Sequence, residues 1–185
     1  MPILTLIGYR GTGKSTVARL VAERLGAAWV DADAVLEERV GCSIVELVRQ
    51  RGEPAFRDAE EEVLAGLVAA RTGVLATGGG VVLREANRRL LRARARPVVW
   101  LTASVETLKE RISADPESHG RRPALLGCDV LAEVEEAVRD REPLYRACAD
   151  LAVDTTSLAP QAVALGIADW LATSAGRADA GGPSR

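Results

Sequence analysis

The clearest chemical pattern in this chain is a glycine-rich run at residues 8–15, which reads GYRGTGKS. An apolar segment at 3–7 precedes it, and residues 14–25 follow with apolar side chains at helical spacing. A buried strand, a glycine-rich turn and a helix are the setting of a phosphate-binding loop, in which backbone N–H groups and the helix N-terminus face one anion. In such a loop the lysine, here Lys14, reaches the β- and γ-phosphates, and the next hydroxyl, Ser15, binds Mg²⁺. The pattern predicts a nucleoside triphosphate site.

Two carboxylates follow the second predicted strand, at the end where open α/β sheets place ligands. These are Asp31 and Asp33, and two side chains separated by one residue on a strand end would point the same way. One could hold Mg²⁺, directly or through water, while the other orients or deprotonates an attacking hydroxyl. The alternative is that Asp33 only caps a helix that begins at Ala34.

A third group of candidate ligand-binding residues consists of arginines and glycines. Arg57 lies near the start of a predicted helix, Arg141 precedes Pro143, and another arginine pair stands at 121–122. Guanidinium groups suit two-point contact with carboxylate or phosphate, although each arginine alone is also typical of a solvated surface. The glycines at 78–80 let a ligand approach the backbone closely, or form a bare loop.

The elements that must position these residues alternate along the chain. Apolar runs predict strands at 3–7, 27–30, 73–76, 97–101 and 150–153. Amphipathic stretches predict helices at 14–25, 33–40, 44–50, 55–70, 84–94, 104–113, 129–148 and 160–172. Ser43 and Glu46 form a capping box for one of these helices. The alternation predicts an α/β fold with a parallel sheet between helices.

One domain is expected over residues 1–173, with a polar, mobile lid at about 114–128 and a disordered tail at 174–185. A net charge of -2 over 185 residues gives no case for nucleic-acid binding, and no apolar run is long enough to span a membrane. The cysteines form neither a zinc site nor a disulfide framework. The first strand follows Met1-Pro2 directly, so we expect no signal peptide. Reduced thiols indicate a cytoplasmic location, and a monomer is the default expectation because no apolar surface can be singled out as an interface.

In order and approximate spacing, the motifs resemble those of shikimate kinases, from the first strand to about residue 160. They are GxxGxGKS at 8–15, DxD at 31–33, FRxxE at 56–60, TGGG at 77–80, RP followed by leucines at 122–126, and RxPLY at 141–145. The resemblance implies a nucleoside-monophosphate-kinase-like P-loop fold with three α/β/α layers, a five-stranded parallel sheet and a mobile lid. It also implies transfer of the γ-phosphoryl group of ATP to the 3-hydroxyl of shikimate, a step of chorismate and aromatic amino-acid biosynthesis.

The same resemblance implies a role for each site residue. The ATP-binding residues would be Gly11, Thr12, Gly13, Lys14, Ser15 and Thr16, with Arg111 against the adenine and Arg122 entering from the lid. Mg²⁺ would be held by Ser15 and, through water, by Asp31. Shikimate would be bound by Asp33, which is also the expected base, and by Arg57, Glu60, Gly78, Gly79, Gly80 and Arg141. Lys14, Asp33 and Arg122 would form the catalytic set.

The chain departs from the family pattern in two places. The segment between Arg111 and Arg122 is a few residues longer, which leaves Arg121 and Arg122 as alternatives for the lid arginine, with Pro123 favouring Arg122. Residues 155–159 contain no arginine where many relatives have one before Pro160, so we expect adenine contacts from backbone and Arg111.

Two other functions fit the phosphate-binding loop. One is a kinase of the same fold with another acceptor, such as gluconate, a nucleoside monophosphate or an antibiotic hydroxyl; FRxxE and RxPLY argue against it. The other is a nucleotide-dependent switch or a degenerate binding module. The lack of an NKxD motif argues against the switch, and the intact Lys14, Asp33 and arginines argue against degeneration.

Overall fold

A computed structural model of the chain describes residues 3–71, 73–114 and 130–179. The strands are β1 (Leu4–Ile7), β2 (Trp29–Asp31), β3 (Val74–Ala76), β4 (Val98–Thr102) and β5 (Leu151–Asp154). The helices are α1 (Lys14–Leu25), α2 (Ala32–Val40), α3 (Ile44–Ala69), α4 (Glu85–Arg94), α5 (Val105–Ala114), α6 (Val130–Arg146) and α7 (Pro160–Asp179). The predicted alternation of strands and helices is confirmed.

The strands form one sheet in the order β2-β3-β1-β4-β5, and every neighbouring pair is parallel. β1 is central, with Leu6 opposite Ala76 of β3 and Ile7 opposite Trp100 of β4. The five-stranded parallel sheet is therefore confirmed. Because all strands run the same way, the loops that follow them meet at one edge, the carboxyl edge of the sheet.

The two faces of the sheet carry separate hydrophobic clusters, because successive side chains of a strand point to opposite faces. Leu4 and Leu6 pack against α1 and α7, in a cluster that includes Val17, Val21, Val163 and Ile167. Ile7 packs on the opposite face with residues of α2, α3, α4 and α6, including Leu36, Phe56, Leu64, Leu91 and Tyr145. Helices thus cover both faces, giving the three expected layers.

Some element boundaries differ from the prediction. The helices expected at 44–50 and 55–70 are joined in α3, but the backbone at Gly52 is non-helical (φ 80°, ψ 166°), so a break remains. Ser43 caps α3 by accepting a hydrogen bond from the Glu46 N–H at 3.2 Å, as the capping box predicts. α7 continues to Asp179, so residues 174–179 of the predicted disordered tail are helical. Alanine and arginine in that stretch favour helix, and the single glycine there, Gly176, does not end it.

The predicted lid falls almost wholly outside the described residues. Ala114 ends α5, whereas residues 115–128, with Arg121 and Arg122, are not described. The same holds for the end of the tail, 180–185. Among the described helices, none combines the length and apolar character needed to cross a membrane.

Candidate active site

The loop between β1 and α1 leaves a helix N-terminus open to an anion. Gly11 and Gly13 have φ values of 81° and 85°, in the left-handed region that favours glycine. Gly13 is the N-cap of α1, but no side chain caps the helix and its first turn contains no acidic residue. The N–H groups of the first turn therefore have no intrahelical acceptor. They are suited to bind a phosphate, as predicted.

Side chains fix the shape of this loop by donating to its carbonyl groups. Lys14 is 9% exposed, and its Nζ donates to the Tyr9 carbonyl at 2.9 Å. Thr12 Oγ1 donates to the same carbonyl at 2.8 Å. Gly8 must be a glycine, because a Cβ there would lie 2.3 Å from the Leu101 carbonyl oxygen of β4. The ammonium group is thus held across the loop that would surround the phosphates.

Arg111 joins the phosphate loop to the segment after β5. Its guanidinium donates to the Gly11 carbonyl at 3.3 Å, and to the Thr155 hydroxyl and carbonyl at 3.0 and 2.7 Å. Thr155 in turn donates to the carbonyls of Thr102 and Thr12, at 3.0 and 3.4 Å. The Arg111 guanidinium thus ties the phosphate loop to the segment after β5, where the sequence predicts the adenine.

The same segment is braced by a second set of hydrogen bonds. Thr156 donates to Asp154 Oδ1 from its hydroxyl at 2.5 Å and from its N–H at 2.8 Å. The hydrogen bond from the Thr156 hydroxyl, and to a smaller extent the one from its N–H, lowers the pKa of the Asp154 carboxyl below its usual value. Thr156 Oγ1 also accepts from the Ser104 N–H at 2.9 Å, so the loops after β4 and β5 are tied together.

The two aspartates of the DxD motif lie on different elements, which corrects two expectations. Asp31 ends β2 and is the N-cap of α2, accepting from the N–H groups of Asp33 and Ala34 at 2.9 and 3.4 Å. The cap is therefore Asp31 and not Asp33, because α2 begins at Ala32. Asp33 lies in the first helical turn, so the two carboxylates do not share a strand end. This leaves the Asp33 side chain out of the capping interaction.

Asp31 also lies beside the phosphate loop. Its Oδ2 accepts a hydrogen bond from Ser15 Oγ at 2.5 Å. A hydroxyl and a carboxylate are hard oxygen ligands of the type that Mg²⁺ prefers, and Mg²⁺ usually takes one or two such ligands together with substrate phosphates. Within the described residues, no group of three or more His, Cys, Asp or Glu side chains could hold a metal ion. The donor set of Ser15 and Asp31 therefore fits a nucleotide-bound Mg²⁺.

Arg57 is a buried arginine with two carboxylate partners. Its side chain is 9% exposed and donates to Glu60 Oε2 at 2.8 Å, from Nη1. Nη2 and Nε donate to Glu53 Oε1 at 2.9 and 3.2 Å. All three residues lie in the second part of α3, where spacings of three and four residues put side chains on one face. The guanidinium is therefore held in one orientation.

The glycines after β3 allow close packing from two directions. A Cβ on Gly80 would lie 2.2 Å from Nη1 of Arg57, so that guanidinium lies directly on the Gly80 backbone. A Cβ on Gly79 would lie 3.1 Å from the backbone nitrogen of Arg10 in the phosphate loop. The turn at 78–80 thus joins the phosphate loop to the buried arginine.

Arg141 reaches the same turn from α6. Its Nη1 donates to the Gly79 carbonyl at 3.4 Å, and its guanidinium lies 5.3 Å from the centre of the Tyr9 ring. The Tyr145 hydroxyl donates to the same Gly79 carbonyl. The tyrosine ring stacks on Trp100 of β4 with 5.9 Å between ring centres. Tyr145 therefore anchors the end of α6 that presents Arg141.

The structure brings most of the expected site residues to the carboxyl edge of the sheet. It also places other residues there that the sequence analysis does not single out. Glu53 could have been found from its spacing of four residues before Arg57. Tyr9 and Arg10 occupy variable positions of the phosphate-loop pattern, which carry no signal. Thr155 lies in the segment at 155–159, where the only feature seen in the sequence is the lack of an arginine. The predicted lid arginine, Arg122, lies outside the described residues.

A parallel sheet with an uncapped, lysine-bearing phosphate loop at its carboxyl edge, and arginines beside it, defines the protein as a P-loop kinase. A model of the shikimate kinase family matches residues 10–172. The shikimate kinase of Nitratidesulfovibrio vulgaris is 49% identical over 140 residues, 76% of this chain and 79% of that protein. The shikimate kinase of Pseudomonas fluorescens is 43% identical over 169 residues, 91% of this chain and 95% of that protein. The chain belongs to the shikimate kinase family.

Solved structures agree with this assignment. A shikimate kinase from Acinetobacter baumannii, solved in complex with shikimate, superposes with a TM-score of 0.86 at 33% identity and covers 94% of both chains. The enzyme from Aquifex aeolicus gives a TM-score of 0.77 at 30% identity, over 93% of this chain and 97% of that one. The fold expected from the resemblance is confirmed, and the protein is a phosphotransferase.

Proposed function

We propose that the protein transfers the γ-phosphoryl group of ATP to the 3-hydroxyl of shikimate, giving shikimate 3-phosphate and ADP for chorismate and aromatic amino-acid synthesis. The observation that carries this proposal is that Arg57 and Arg141 both contact the turn at 78–80, which itself abuts the phosphate loop. Two guanidinium groups next to a phosphate site fit an acceptor that brings its own carboxylate.

On the nucleotide side, the first turn of α1 and the N–H groups of 11–16 bind the phosphates. Lys14 exchanges the Tyr9 carbonyl for the β- and γ-phosphates, which are stronger acceptors for an ammonium group. Ser15 and, through water, Asp31 would hold Mg²⁺, which would offset phosphate charge. Arg111 and Thr155 keep the loops around the adenine in place.

On the acceptor side, Arg57 and Arg141 bind the carboxylate of shikimate. The pair of Glu53 and Glu60 fixes the Arg57 guanidinium before the substrate arrives, so little side-chain entropy is lost on binding. Gly78, Gly79 and Gly80 leave room at the backbone, and Glu60 supports the pocket through Arg57. An acceptor held this way presents its hydroxyl to the phosphate loop.

The chemistry then requires positioning and charge stabilisation rather than covalent catalysis. Asp33 orients the attacking hydroxyl and accepts its proton. Arg122 of the lid region stabilises charge on the transferred group, and closure of residues 114–128 excludes water from ATP. The use of Mg²⁺, the monomeric state and the cytoplasmic location stay predictions from the sequence.

A coupled ADP-release assay with ATP and Mg²⁺ tests the function, comparing shikimate, gluconate, AMP and no acceptor. We expect turnover with shikimate that exceeds every other condition by at least about 100-fold. Gluconate and AMP also carry an anionic group, but only an acceptor whose hydroxyl reaches the phosphate loop while its anion is paired can react. The Lys14→Met variant is the control for contaminating kinases. Turnover with gluconate or AMP, or hydrolysis without an acceptor, would contradict the proposal while leaving the nucleotide site intact.

A further inference from the structure

Among the described arginines of the site, Arg10 has the fewest partners for its charge. It lies in the phosphate loop between Tyr9 and Gly11, at a position where the loop pattern accepts any residue. The side chain is half-buried, and its Nε is buried without a hydrogen-bond partner among the described residues. A buried donor without a partner costs free energy, so a built-in arginine here calls for an acceptor that is not part of the described chain.

The neighbours of Arg10 place it between the two halves of the site. Its backbone nitrogen abuts Gly79, and its guanidinium lies 5.9 Å from the centre of the Tyr9 ring. The guanidinium of Arg141 lies 5.3 Å from the centre of the same ring. One tyrosine ring therefore carries two guanidinium groups, one from the phosphate loop and one from the acceptor side.

Arg57, Arg10 and Arg141 differ in how many carboxylates pair with their guanidinium groups. Arg57 is paired with Glu53 and Glu60. Within the described part of the chain, Arg10 has only its contact with the Tyr9 ring, and Arg141 has only that ring and the Gly79 carbonyl. The acceptor carboxylate supplies one counter-charge, and the proposed function assigns it to Arg57 and Arg141. The anion that remains for Arg10 is the phosphoryl group.

Resting on that proposed function, we infer that Arg10 binds the transferred phosphoryl group from the acceptor side, in the transition state and in the product. The acceptor hydroxyl oxygen forms a bond to the γ-phosphorus as the bond from phosphorus to the β,γ-bridging oxygen breaks, and the hydroxyl proton passes to Asp33. Arg10 exchanges no proton and forms no covalent bond. Its contact strengthens as the phosphoryl group moves away from the nucleotide and toward Gly79, so it favours transfer over substrate binding.

The variants Arg10→Met and Arg10→Lys test this inference in steady-state assays with shikimate and ATP, together with product inhibition by shikimate 3-phosphate. For Arg10→Met we expect kcat to fall about 10- to 100-fold and the inhibition constant of shikimate 3-phosphate to rise by a similar factor. The KM for shikimate should change less than about threefold, because the carboxylate contacts are kept. Arg10→Lys should restore part of kcat by retaining the charge.

Arg94→Met is the matched control, since Arg94 is exposed at the end of α4 that leads into β4, on the opposite edge of the sheet. It should leave all constants unchanged. If the KM for shikimate rises together with the product inhibition constant, Arg10 binds the acceptor carboxylate together with Arg57 and Arg141, and the inference is wrong. If no constant changes, Arg10 only packs on Tyr9 and the inference is equally wrong.

Binding of shikimate 3-phosphate measured by calorimetry without nucleotide gives a readout that does not depend on turnover, and thermal unfolding checks that each variant is folded. If Arg10→Met fails to fold, Arg10→Lys carries the test: the inference requires it to weaken product binding more than shikimate binding. A wild-type protein that does not turn over shikimate would instead contradict the proposed function itself, which keeps the two failures separate.

Discussion

The nucleotide side and the acceptor side of the site are held together by different forces. Around the phosphate loop, side chains donate to backbone carbonyls: Lys14 and Thr12 to Tyr9, and Arg111 to Gly11. On the acceptor side, Arg57 is fixed by two carboxylates from its own helix. Hydrogen bonds to backbone carbonyls thus fix the nucleotide side, whereas ion pairs between side chains fix the acceptor side.

This difference has a physical reason. A phosphate chain is bound by many N–H groups, so the loop needs a defined backbone path more than it needs particular charges. A small acceptor with one carboxylate must be oriented by few contacts, and a guanidinium that is already fixed orients it at low entropic cost. Substitutions on the two sides should therefore separate cleanly in their kinetic and thermodynamic effects.

The largest expected effect comes from Asp33→Asn, which should lower kcat about 10²- to 10⁴-fold by removing the proton acceptor. The KM for ATP should change less than about twofold, because Asp31, and not Asp33, caps α2 and contacts Ser15. Steady-state kinetics and ATP titration measure both. Glu38→Gln, at an exposed position of the same helix, is the control. A loss of ATP affinity would move Asp33 to the nucleotide side.

Arg57→Met should be the most destabilising change on the acceptor side. It removes the ion pair of Glu60, which is 5% exposed, and breaking a buried pair costs about 3 kcal/mol or more in the free energy of unfolding. Urea denaturation measures this loss. Arg39→Met breaks an exposed pair with Glu62 and should cost less than about 1 kcal/mol. Equal losses in the two variants would mean that the Arg57 pair adds no more stability than a surface ion pair.

Arg141→Ala should act on binding rather than on stability. The KM for shikimate should rise about 10- to 100-fold, with little change in the KM for ATP, because the acceptor carboxylate loses a charged donor. Arg139→Ala removes an exposed arginine from the same helix and should leave both constants as they are. Equal increases in both KM values would argue against a clamp specific to the acceptor.

The smallest effect is expected from Thr155→Val on the nucleotide side. The substitution keeps the shape but removes the hydroxyl that donates to Thr102 and Thr12 and accepts from Arg111. At about 1 kcal/mol for such hydrogen bonds, the KM for ATP should rise about fivefold while the KM for shikimate stays constant. Thr173→Val, exposed on α7, is the control. A change confined to the KM for shikimate would break the separation between the two sides.

The parts of this protein that the sequence predicted are those with local causes. The order of strands and helices along the chain, the phosphate loop and the Ser43 cap follow from periodicity, from glycine spacing and from side-chain chemistry within a few residues. The DxD motif shows where that reasoning stops. Which aspartate caps α2 depends on whether the helix begins at Ala32 or Ala34, and a shift of two residues exchanges their environments.

The sequence by itself determined the nucleoside triphosphate site, because that site is built from one continuous segment. Only the tertiary structure decided how the acceptor side is assembled. Gly79 meets Arg10 and Arg141, and Gly80 meets Arg57, through contacts between residues that are 69, 62 and 23 positions apart in the chain. Such contacts depend on the packing of α3 and α6 around the turn after β3, for which no local pattern in the sequence exists.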